Sequence, residues 1–332
     1  MPSLTRIRRP RVRGAVVFAA CVLIVLTLGP AVVSRFMSNV GLLALTRTLV
    51  QYGVFGEARR EDANLIEAER WLNAATGLDA GNWRAWRGFG FALQAQGRAD
   101  EAVSAWQTAG GMGEEFARRG EPAYHSQSDA EALMWYERSL RVEPNCPAQY
   151  GLGELYRKQG NLKEALQWFR ACVELDPLYI QAHLSQCNTL IGLGEYHQAL
   201  SLYRMAEVSV QRDAFMLACA GVSHWELGEY GEAANVLERA IRQRPLEASF
   251  HQWLSLTYAR QGRYSEAVTE SLVAIDLNSE RPDYWRHLGN IYLAMNQSDA
   301  AANAFGRALE LDPNDQEAHK SLDLLRKRIQ QP

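Results

Sequence analysis

The sequence predicts an all-α fold built from stacked helical hairpins, and three features that repeat along the chain support this prediction. Alanines recur at steps of 33 or 34 residues, with one shorter step of 30 residues. A large side chain usually follows each alanine after four residues, and a glycine or a proline often stands at a fixed distance from it. Such a period is the signature of a repeat architecture. The recurring alanines are Ala68, Ala102, Ala132, Ala165, Ala199, Ala233, Ala267 and Ala301.

Each repeated residue type has a physical role in a helical hairpin. An alanine allows two helices to cross closely, because a larger side chain would force them apart. A large side chain one turn later, such as Phe169 or Phe305, fills the space beside the crossing. A glycine such as Gly160 suits the left-handed residue that ends a helix, and a proline such as Pro313 prevents the second helix from continuing. One hairpin cannot bury its own apolar faces, so neighbouring hairpins must stack.

The period divides the chain into about eight hairpins, which span residues 49–315. Residues 316–332 are polar and predict a capping helix, which repeat arrays need for solubility. The third hairpin is irregular near residues 110–131, because the step from Ala102 to Ala132 is four residues short and is rich in glycine. We expect the first helix of that hairpin to be short or distorted. It is either a drifted repeat or a break where the array bends or meets a partner.

The last complete hairpin, at residues 282–315, follows a known motif slot by slot. Its matching residues are Trp285, Leu288, Gly289, Tyr292, Ala301, Phe305 and Pro313. The hairpin at residues 146–179 matches with Leu152, Gly153, Tyr156, Ala165, Phe169 and Pro177. This pattern resembles the tetratricopeptide repeat family, and the resemblance covers roughly four-fifths of the chain. The resemblance implies a right-handed α-solenoid superhelix, with the first helix of each hairpin on the concave face.

The amino-terminal region differs in charge from the rest of the chain. The first 56 residues contain seven arginines and no acidic residue, whereas the remainder has 28 basic and 38 acidic residues. Residues 14–33 are uncharged and long enough for a helix that crosses a bilayer. We therefore expect a basic tail at residues 1–13, a transmembrane signal-anchor at residues 14–33 and a connecting segment at residues 34–48. The five arginines before the apolar run predict a cytoplasmic amino terminus and extracytoplasmic repeats, which are periplasmic if the source is bacterial.

Other interpretations of this region stay open. The apolar run resembles a cleaved signal peptide, although no small-x-small site closes it cleanly, or a lipoprotein signal in which Cys21 is lipidated. An arginine-rich, acid-free start is also typical of a mitochondrial presequence. Residues 36–52 either lie along the membrane surface or begin the first helix of the body, and we favour the helix. As a signal-anchor, residues 14–33 would make the lipid bilayer a partner of the chain.

Composition and motifs exclude several classes of function. The chain after residue 56 is net acidic, which argues against nucleic acid as a partner, because phosphate binding needs a basic face. None of the five cysteines forms a C-x-x-C pair, and no motif of a phosphate-binding loop, serine hydrolase or zinc protease occurs. His183 and Cys187 have the spacing of metal ligands on a helix, but His251 and His319 occupy the same repeat slot, which favours packing. We therefore predict no enzyme activity, no metal and no cofactor.

The resemblance also implies which side chains face a partner, namely those between the packing slots of the first helices. They are Arg84, Arg87, Tyr150, Arg157, Leu184, Asn188, Phe215, Val222, Trp225, Gln252, Leu256, Arg260, Arg286 and Asn290. The central members are mostly apolar, and the outer ones are basic or polar. Apolar residues on an exposed concave surface indicate a binding site, and aromatic and arginine side chains dominate such interfaces. These side chains could instead be covered by neighbouring helices or lie in a narrow superhelix.

One ligand known from the family is disfavoured. Co-chaperones of the family hold a C-terminal carboxylate with a lysine and asparagine clamp, for which Asn188 fits one position. Leu184 and Val222 stand where the clamp needs polar residues, so the clamp is broken.

The sequence thus predicts a non-enzymatic, membrane-tethered scaffold that binds a protein or peptide segment in its concave groove, around Phe215 and Trp225. The alternative is an accessory subunit of a membrane enzyme or of an envelope assembly or secretion complex. Such a subunit would dock through the convex face or through the irregular third hairpin.

Overall fold

The computed structural model describes residues 29–52, 63–206 and 208–330 of the 332-residue chain. Within those residues it contains 18 helices and no strand, as the repeat pattern predicts. The chain forms two compact units, Met1–Gly151 and Leu152–Pro332, and the division between them falls inside one helix. The fold in each unit is a stack of helical hairpins of the solenoid type.

The unit Met1–Gly151 contains three hairpins and the beginning of a fourth. Its helices are α1 (Pro30–Tyr52), α2 (Ala63–Leu78), α3 (Trp83–Ala95), α4 (Ala99–Ala109), α5 (Met112–His125), α6 (Asp129–Val142) and the first part of α7 (Cys146–Lys158). The pairs α1 and α2, α3 and α4, and α5 and α6 pack against each other as hairpins. Four interlocked aromatic rings form the centre of this unit, with adjacent centroids 4.9–5.8 Å apart. They are Phe91, Trp106, Phe116 and Trp135.

Helix α1 is an integral part of this unit. Ser34 is completely buried, and its hydroxyl donates a hydrogen bond of 2.8 Å to the carbonyl oxygen of Ala75 in α2. The side-chain amide of Asn82 donates to the Ser34 hydroxyl at 2.8 Å, and its own carbonyl oxygen accepts from the backbone N–H of Ala85. Asn82 therefore caps α3 and holds α1 at the same time. Residues 34–48, which the sequence suggested as a connecting segment, lie inside α1.

The unit Leu152–Pro332 contains the remaining helices. They are the end of α7, α8 (Leu162–Leu175), α9 (Ile180–Gly192), α10 (Tyr196–Met205), α11 (Val208–Gln211), α12 (Ala214–Glu226), α13 (Tyr230–Gln243), α14 (Ala248–Arg260), α15 (Tyr264–Leu277), α16 (Pro282–Ala294), α17 (Ser298–Leu311) and α18 (Gln316–Gln330). Hairpins form from α9 and α10, α12 and α13, α14 and α15, and α16 and α17. Helix α18 packs on α17, in the position predicted for a capping helix.

The repeated small residues occupy the positions that the sequence predicts. All eight recurring alanines are completely buried. Gly153 and Gly289 lie against the rings of Phe169 and Phe305, so close that a Cβ atom would stand 2.4 and 2.7 Å from them. Glycines with φ between 75° and 80° end the first helices of five hairpins; they are Gly97, Gly160, Gly194, Gly228 and Gly262. In the last hairpin Asn296, with φ of 59°, takes the same position, which asparagine tolerates.

The irregular third hairpin differs from the prediction. Its first helix, α5, has 14 residues and is not short, although Pro122 lies inside it. The shortening falls before α5, because α4 has only 11 residues and a turn of Gly110 and Gly111 replaces a longer loop. Both glycines have positive φ, which lets the chain reverse in two residues.

The predicted location as a single-pass membrane protein is contradicted. Among the residues that the structure describes, no helix combines the length and the apolar character that crossing a bilayer requires. Of the expected span at residues 14–33, residues 30–33 form the start of α1, where Val33 is buried. Residues 14–28 and the basic tail at residues 1–13 lie outside the described part of the chain. The expected cytoplasmic amino terminus and extracytoplasmic repeats are part of that contradicted location. The expected contact of residues 14–33 with a bilayer falls mostly on residues outside the described part of the chain and stays a prediction.

Candidate functional site

A cavity of about 310 Å³ lies in the unit Leu152–Pro332, between the first helices of three consecutive hairpins. Four predicted groove residues form part of its lining, namely Leu184, Asn188, Phe215 and Val222, and Ile191 lies beside them. The structure adds five residues that the sequence did not single out: Ala218, Cys219, Ser249, Phe250 and Trp253. The lining is therefore mainly apolar and aromatic, with a few polar groups, which is the usual composition of a binding cavity.

Helical spacing brings these side chains to one place. On α9, Leu184, Asn188 and Ile191 are four and three residues apart and share one face. Helix α12 contributes Phe215 and Val222 in the same way, and the first turns of α14 supply the remaining wall. The cavity is thus formed where the first helices of three consecutive hairpins, α9, α12 and α14, face each other.

Phe215 is held at the cavity by three contacts. The carboxylate of Asp213 accepts hydrogen bonds from the backbone N–H groups of Phe215 and Met216, at 2.9 and 3.2 Å, and so caps α12. The Phe215 ring packs edge-to-face on Phe250, with centroids 5.3 Å apart. The guanidinium of Arg244 lies 4.8 Å from the centre of the same ring. A cation at this distance is attracted by the negative face of the ring and restrains its orientation.

The polar side of the cavity is a hydrogen-bonded group of neutral side chains. The thiol of Cys219 donates to the side-chain oxygen of Asn188 at 3.3 Å. The pKa of the buried Cys187 lies well above its usual value, because a hydrogen bond with Cys219 and burial both disfavour the thiolate. Cys187 therefore stays a thiol near neutral pH. Asn188 is exposed and accepts the Cys219 hydrogen bond through its oxygen, so its amide N–H groups can donate to a ligand.

A second aromatic group adjoins the cavity. The indole of Trp225 packs edge-to-face on Trp253, with centroids 5.6 Å apart, and Arg260 lies 5.3 Å from its ring centre. The indole N–H of Trp225 is buried and makes no hydrogen bond. Gln252 is buried and its side-chain oxygen is also unpartnered, while Leu256 is half-buried. These four predicted residues, Trp225, Gln252, Leu256 and Arg260, do not line the cavity itself.

The other predicted groove residues lie away from this cavity, and most of the basic ones are paired. In the unit Leu152–Pro332, Arg157 binds Glu154 at 2.6 Å, Arg286 pairs with Asp315 at 3.0 Å and with Glu317, and Asn290 is exposed.

In the unit Met1–Gly151, the predicted groove residues are Arg84, Arg87 and Tyr150. Arg87 pairs with Glu115 at 3.3 Å. Arg84 is exposed and lies 5.3 Å from the ring centre of Trp83, while Tyr150 is half-buried.

The histidine slot has a structural explanation that the sequence did not reveal. In His183, His251 and His319, ring atom Nε2 lies 2.9–3.0 Å from the carbonyl oxygen of the proline six residues earlier. The indole N–H groups of Trp86 and Trp285 donate to the carbonyl six residues earlier in the same way. The slot therefore selects a ring with an N–H donor, which ties each first helix to the loop before it. Among the described residues, no group of three potential ligands could hold a metal ion.

Family comparisons agree with this architecture. Residues 147–179, 220–282 and 282–315 each match a model of the tetratricopeptide repeat family. The chain therefore contains tetratricopeptide repeats, a fold that is typical of non-enzymatic scaffolds.

Curated relatives are similar to parts of this chain. The human protein O-mannosyl-transferase TMTC1 is 25% identical over 209 residues, which are 60% of this chain and 24% of that protein. The CTR9 homolog of Arabidopsis thaliana is 25% identical over 284 residues, 80% of this chain and 26% of its own length. The BBSome complex member BBS4 of Bos taurus is 23% identical over 59% of this chain and 38% of its length. The chain thus spans well under half of each of these relatives.

Solved structures show the same fold at low sequence identity. The chain is similar to the APC/C heterotetramer Cut9–Hcn1 with a TM-score of 0.57 and 15% identity, over 88% of this chain and 58% of that one. It is similar to Pseudomonas aeruginosa pilF with a TM-score of 0.54 and 12% identity, over 63% and 95% of the two chains. A tetratricopeptide repeat protein from Parabacteroides merdae gives 0.50 and 16%, over 86% and 99%. These likenesses show the fold alone.

Proposed function

We propose that the protein is a non-enzymatic scaffold whose cavity between α9, α12 and α14 binds an apolar side chain of a partner protein segment. The observation behind this proposal is the cavity of about 310 Å³ itself, because apolar groups such as Phe215, Val222 and Trp253 line it. Well-packed protein interiors contain few voids larger than a water molecule. An apolar cavity of this size therefore gains free energy when another side chain fills it.

The size of the cavity favours one anchoring side chain. Complete burial of a leucine, isoleucine, methionine or phenylalanine side chain contributes roughly 1.5–3 kcal/mol. The exposed amide of Asn188 at the edge is placed to bond the backbone of the segment that carries this anchor. Backbone contacts would give general affinity, and the cavity would select the anchor.

The relatives are compatible with a role in assembly. BBS4, similar to this chain over 59% of the chain, is by its name a member of a complex. TMTC1 is a transferase by its name, but this chain spans only 24% of its length. We therefore assign the repeats, and not catalysis, as the basis of the likeness.

Peptide selection on the purified protein tests the proposal. Peptides that bind should share one large apolar residue at a fixed position, and Phe215→Ala should weaken them about 30-fold, the effect typical of a central interface residue. Ala218→Phe fills the cavity without removing a packed ring and should have a similar effect. Leu246→Ala is the matched control, because Leu246 is apolar and 80% exposed but does not line the cavity.

The outcome is decisive if circular dichroism shows that the variants stay helical. The proposal fails if Phe215→Ala and Ala218→Phe both bind the selected peptides as tightly as the unchanged protein and the Leu246→Ala control.

A further inference from the structure

A second cavity, of about 490 Å³, lies between α8, α9 and α10 in the same unit. Helix α10 has 10 residues, whereas α8, α13, α15 and α17 have 14 each. Met205 and Ala206, where α10 stops, line the cavity, and Met205 is 84% exposed. The apolar part of the wall also includes Val173, Leu190 and Leu202.

Two buried polar atoms that belong to lining residues have no hydrogen-bond partner. They are Nδ1 of His183 and the side-chain oxygen of Gln186, in residues that are 3% and 6% exposed. Nε2 of His183 lies 2.9 Å from the carbonyl oxygen of Pro177. A carbonyl only accepts hydrogen bonds, so Nε2 must hold the proton, and Nδ1 of the neutral ring is an acceptor. Both unpartnered atoms are therefore acceptors.

The equivalent histidine of another hairpin shows what is missing here. His251 makes the same bond from Nε2 to a proline carbonyl, but its Nδ1 also lies 2.6 Å from the carboxylate of Glu270, 19 residues later. The residue 19 positions after His183 is Leu202. The α9 hairpin thus has an apolar wall where the other hairpin satisfies its histidine internally.

We propose that this second cavity binds a lysine side chain of a partner protein. An ammonium group brings three hydrogen-bond donors, which can satisfy His183 Nδ1 and the Gln186 oxygen together. Glu174 lines the cavity and is exposed, so it adds a negative charge near the cation. Val173 and Leu202 match the four-carbon stem. Leaving a buried acceptor unpaired is unfavourable, and a donor that reaches it on binding removes that cost.

A carboxylate is the competing occupant, and the lining argues against it. Arg170 also lines the cavity and is exposed, with one N–H group donating to the neutral side chain of Gln198 at 3.3 Å. Its positive charge offsets that of Glu174, so the two buried acceptors decide between the occupants. A carboxylate would bring acceptors to the acceptor atom of Gln186 and a negative charge towards Glu174.

This surface is separate from the cavity of the proposed function. Both use α9, but His183, Gln186 and Leu190 lie about 130° around the helix from Leu184 and its neighbours, given about 100° for each residue. A segment anchored in one cavity leaves the other free. The inference is therefore independent of the proposed function, and Phe215→Ala should leave lysine binding unchanged.

Blocked single residues test the inference directly. The full chain, labelled with ¹⁵N-histidine, is titrated with the Nα-acetyl methylamides of lysine, norleucine and glutamate. Binding is followed through the NMR signals of the His183 ring nitrogens. Lysine should bind at least about tenfold more tightly than norleucine, because hydrogen bonds to a charged group add to the burial of the stem. The inference is overturned if lysine and norleucine bind equally, if neither binds, or if glutamate binds more tightly.

Two single-residue variants distinguish a loss of the two acceptors from a loss of the fold. His183→Trp keeps an N–H donor for the Pro177 carbonyl, as Trp285 does in its own hairpin, but removes the acceptor. Gln186→Met removes the second acceptor at similar volume. Each change should reduce the preference for lysine at least about fivefold, whereas His319→Trp, the same substitution in an exposed slot, should not. An unchanged preference in both His183→Trp and Gln186→Met would overturn the inference.

Discussion

The substitution Gly289→Ala should show whether packing or helix propensity has the larger effect on the free energy of unfolding. A Cβ added there would stand 2.7 Å from Cε1 of Phe305, which is completely buried among Ala301, Ala308 and other core residues. The ring cannot move away, so Gly289→Ala forces overpacking, which typically costs about 1–3 kcal/mol. The gain in helix propensity returns at most about 1 kcal/mol. We therefore expect a net loss of up to about 2 kcal/mol in the free energy of unfolding.

Gly306 in the neighbouring helix α17 provides the matched control. A Cβ at that position meets no atom within 4 Å. Gly306→Ala should therefore stabilise the protein by about 0.5–1 kcal/mol through helix propensity alone. Urea denaturation of both variants and the unchanged protein measures the difference. Equal stability of Gly289→Ala and Gly306→Ala would refute the packing argument, and Phe305→Leu should partly restore Gly289→Ala if the clash is the cause.

Three further predictions concern caps and titration. Asp213→Ala should lower the melting temperature, because the cap that its carboxylate forms on α12 stabilises the fold by about 1 kcal/mol. Gln297→Ala should not, because the Gln297 side chain makes no cap hydrogen bond at the start of α17. The pKa of His251 is raised by its hydrogen bond to Glu270, so this pair should stabilise the fold below pH 6.5 and lose its effect as pH rises through the raised pKa. Urea midpoints against pH for Glu270→Gln should lack that dependence. Burial lowers the pKa of His287 to about 4, so its ring signal in NMR should not titrate between pH 8 and 5. Below pH 6.5 the unfolded chain takes up a proton that the folded ring does not, so the contribution of His287 to the free energy of unfolding should fall.

The sequence predicts most of the fold because each hairpin repeats the same few steric requirements. Buried alanines such as Ala165 and left-handed glycines such as Gly228 are visible as a period, since few other residues fit those positions well. Helix α1 has no such period, and its place depends on one buried hydrogen-bonded serine, Ser34. An apolar run beside it then suggested a membrane span. The length of α4 was also missed, because deletion at a helix end leaves the packing slots intact.

The candidate site is only partly visible in the sequence. Helix spacing predicts that Leu184, Asn188 and Phe215 share a face, but not how closely three helices approach. Phe250 and Trp253 were missed because the face of α14 expected to contact the partner contains Gln252, Leu256 and Arg260. At about 100° per residue, Phe250 and Trp253 lie on other faces of that helix. The second cavity was missed because only one residue distinguishes the two hairpins, namely Leu202 in place of Glu270. That difference has a meaning only when the structure shows that Glu270 contacts the ring of His251.

Photo-crosslinking from the cavity tests the central claim most directly. Asn188 lies at the edge of the cavity and is exposed, so a benzophenone side chain at that position costs the proposed amide contact but reaches a bound segment from outside the apolar lining. The same group at Gln243, exposed at the end of α13 and outside the lining, is the control. With a peptide selected on the unchanged protein, we predict crosslinks from residue 188, none from residue 243, and their loss in Ala218→Phe. Equal crosslinking from both positions, or crosslinks that persist in Ala218→Phe, would contradict binding in this cavity.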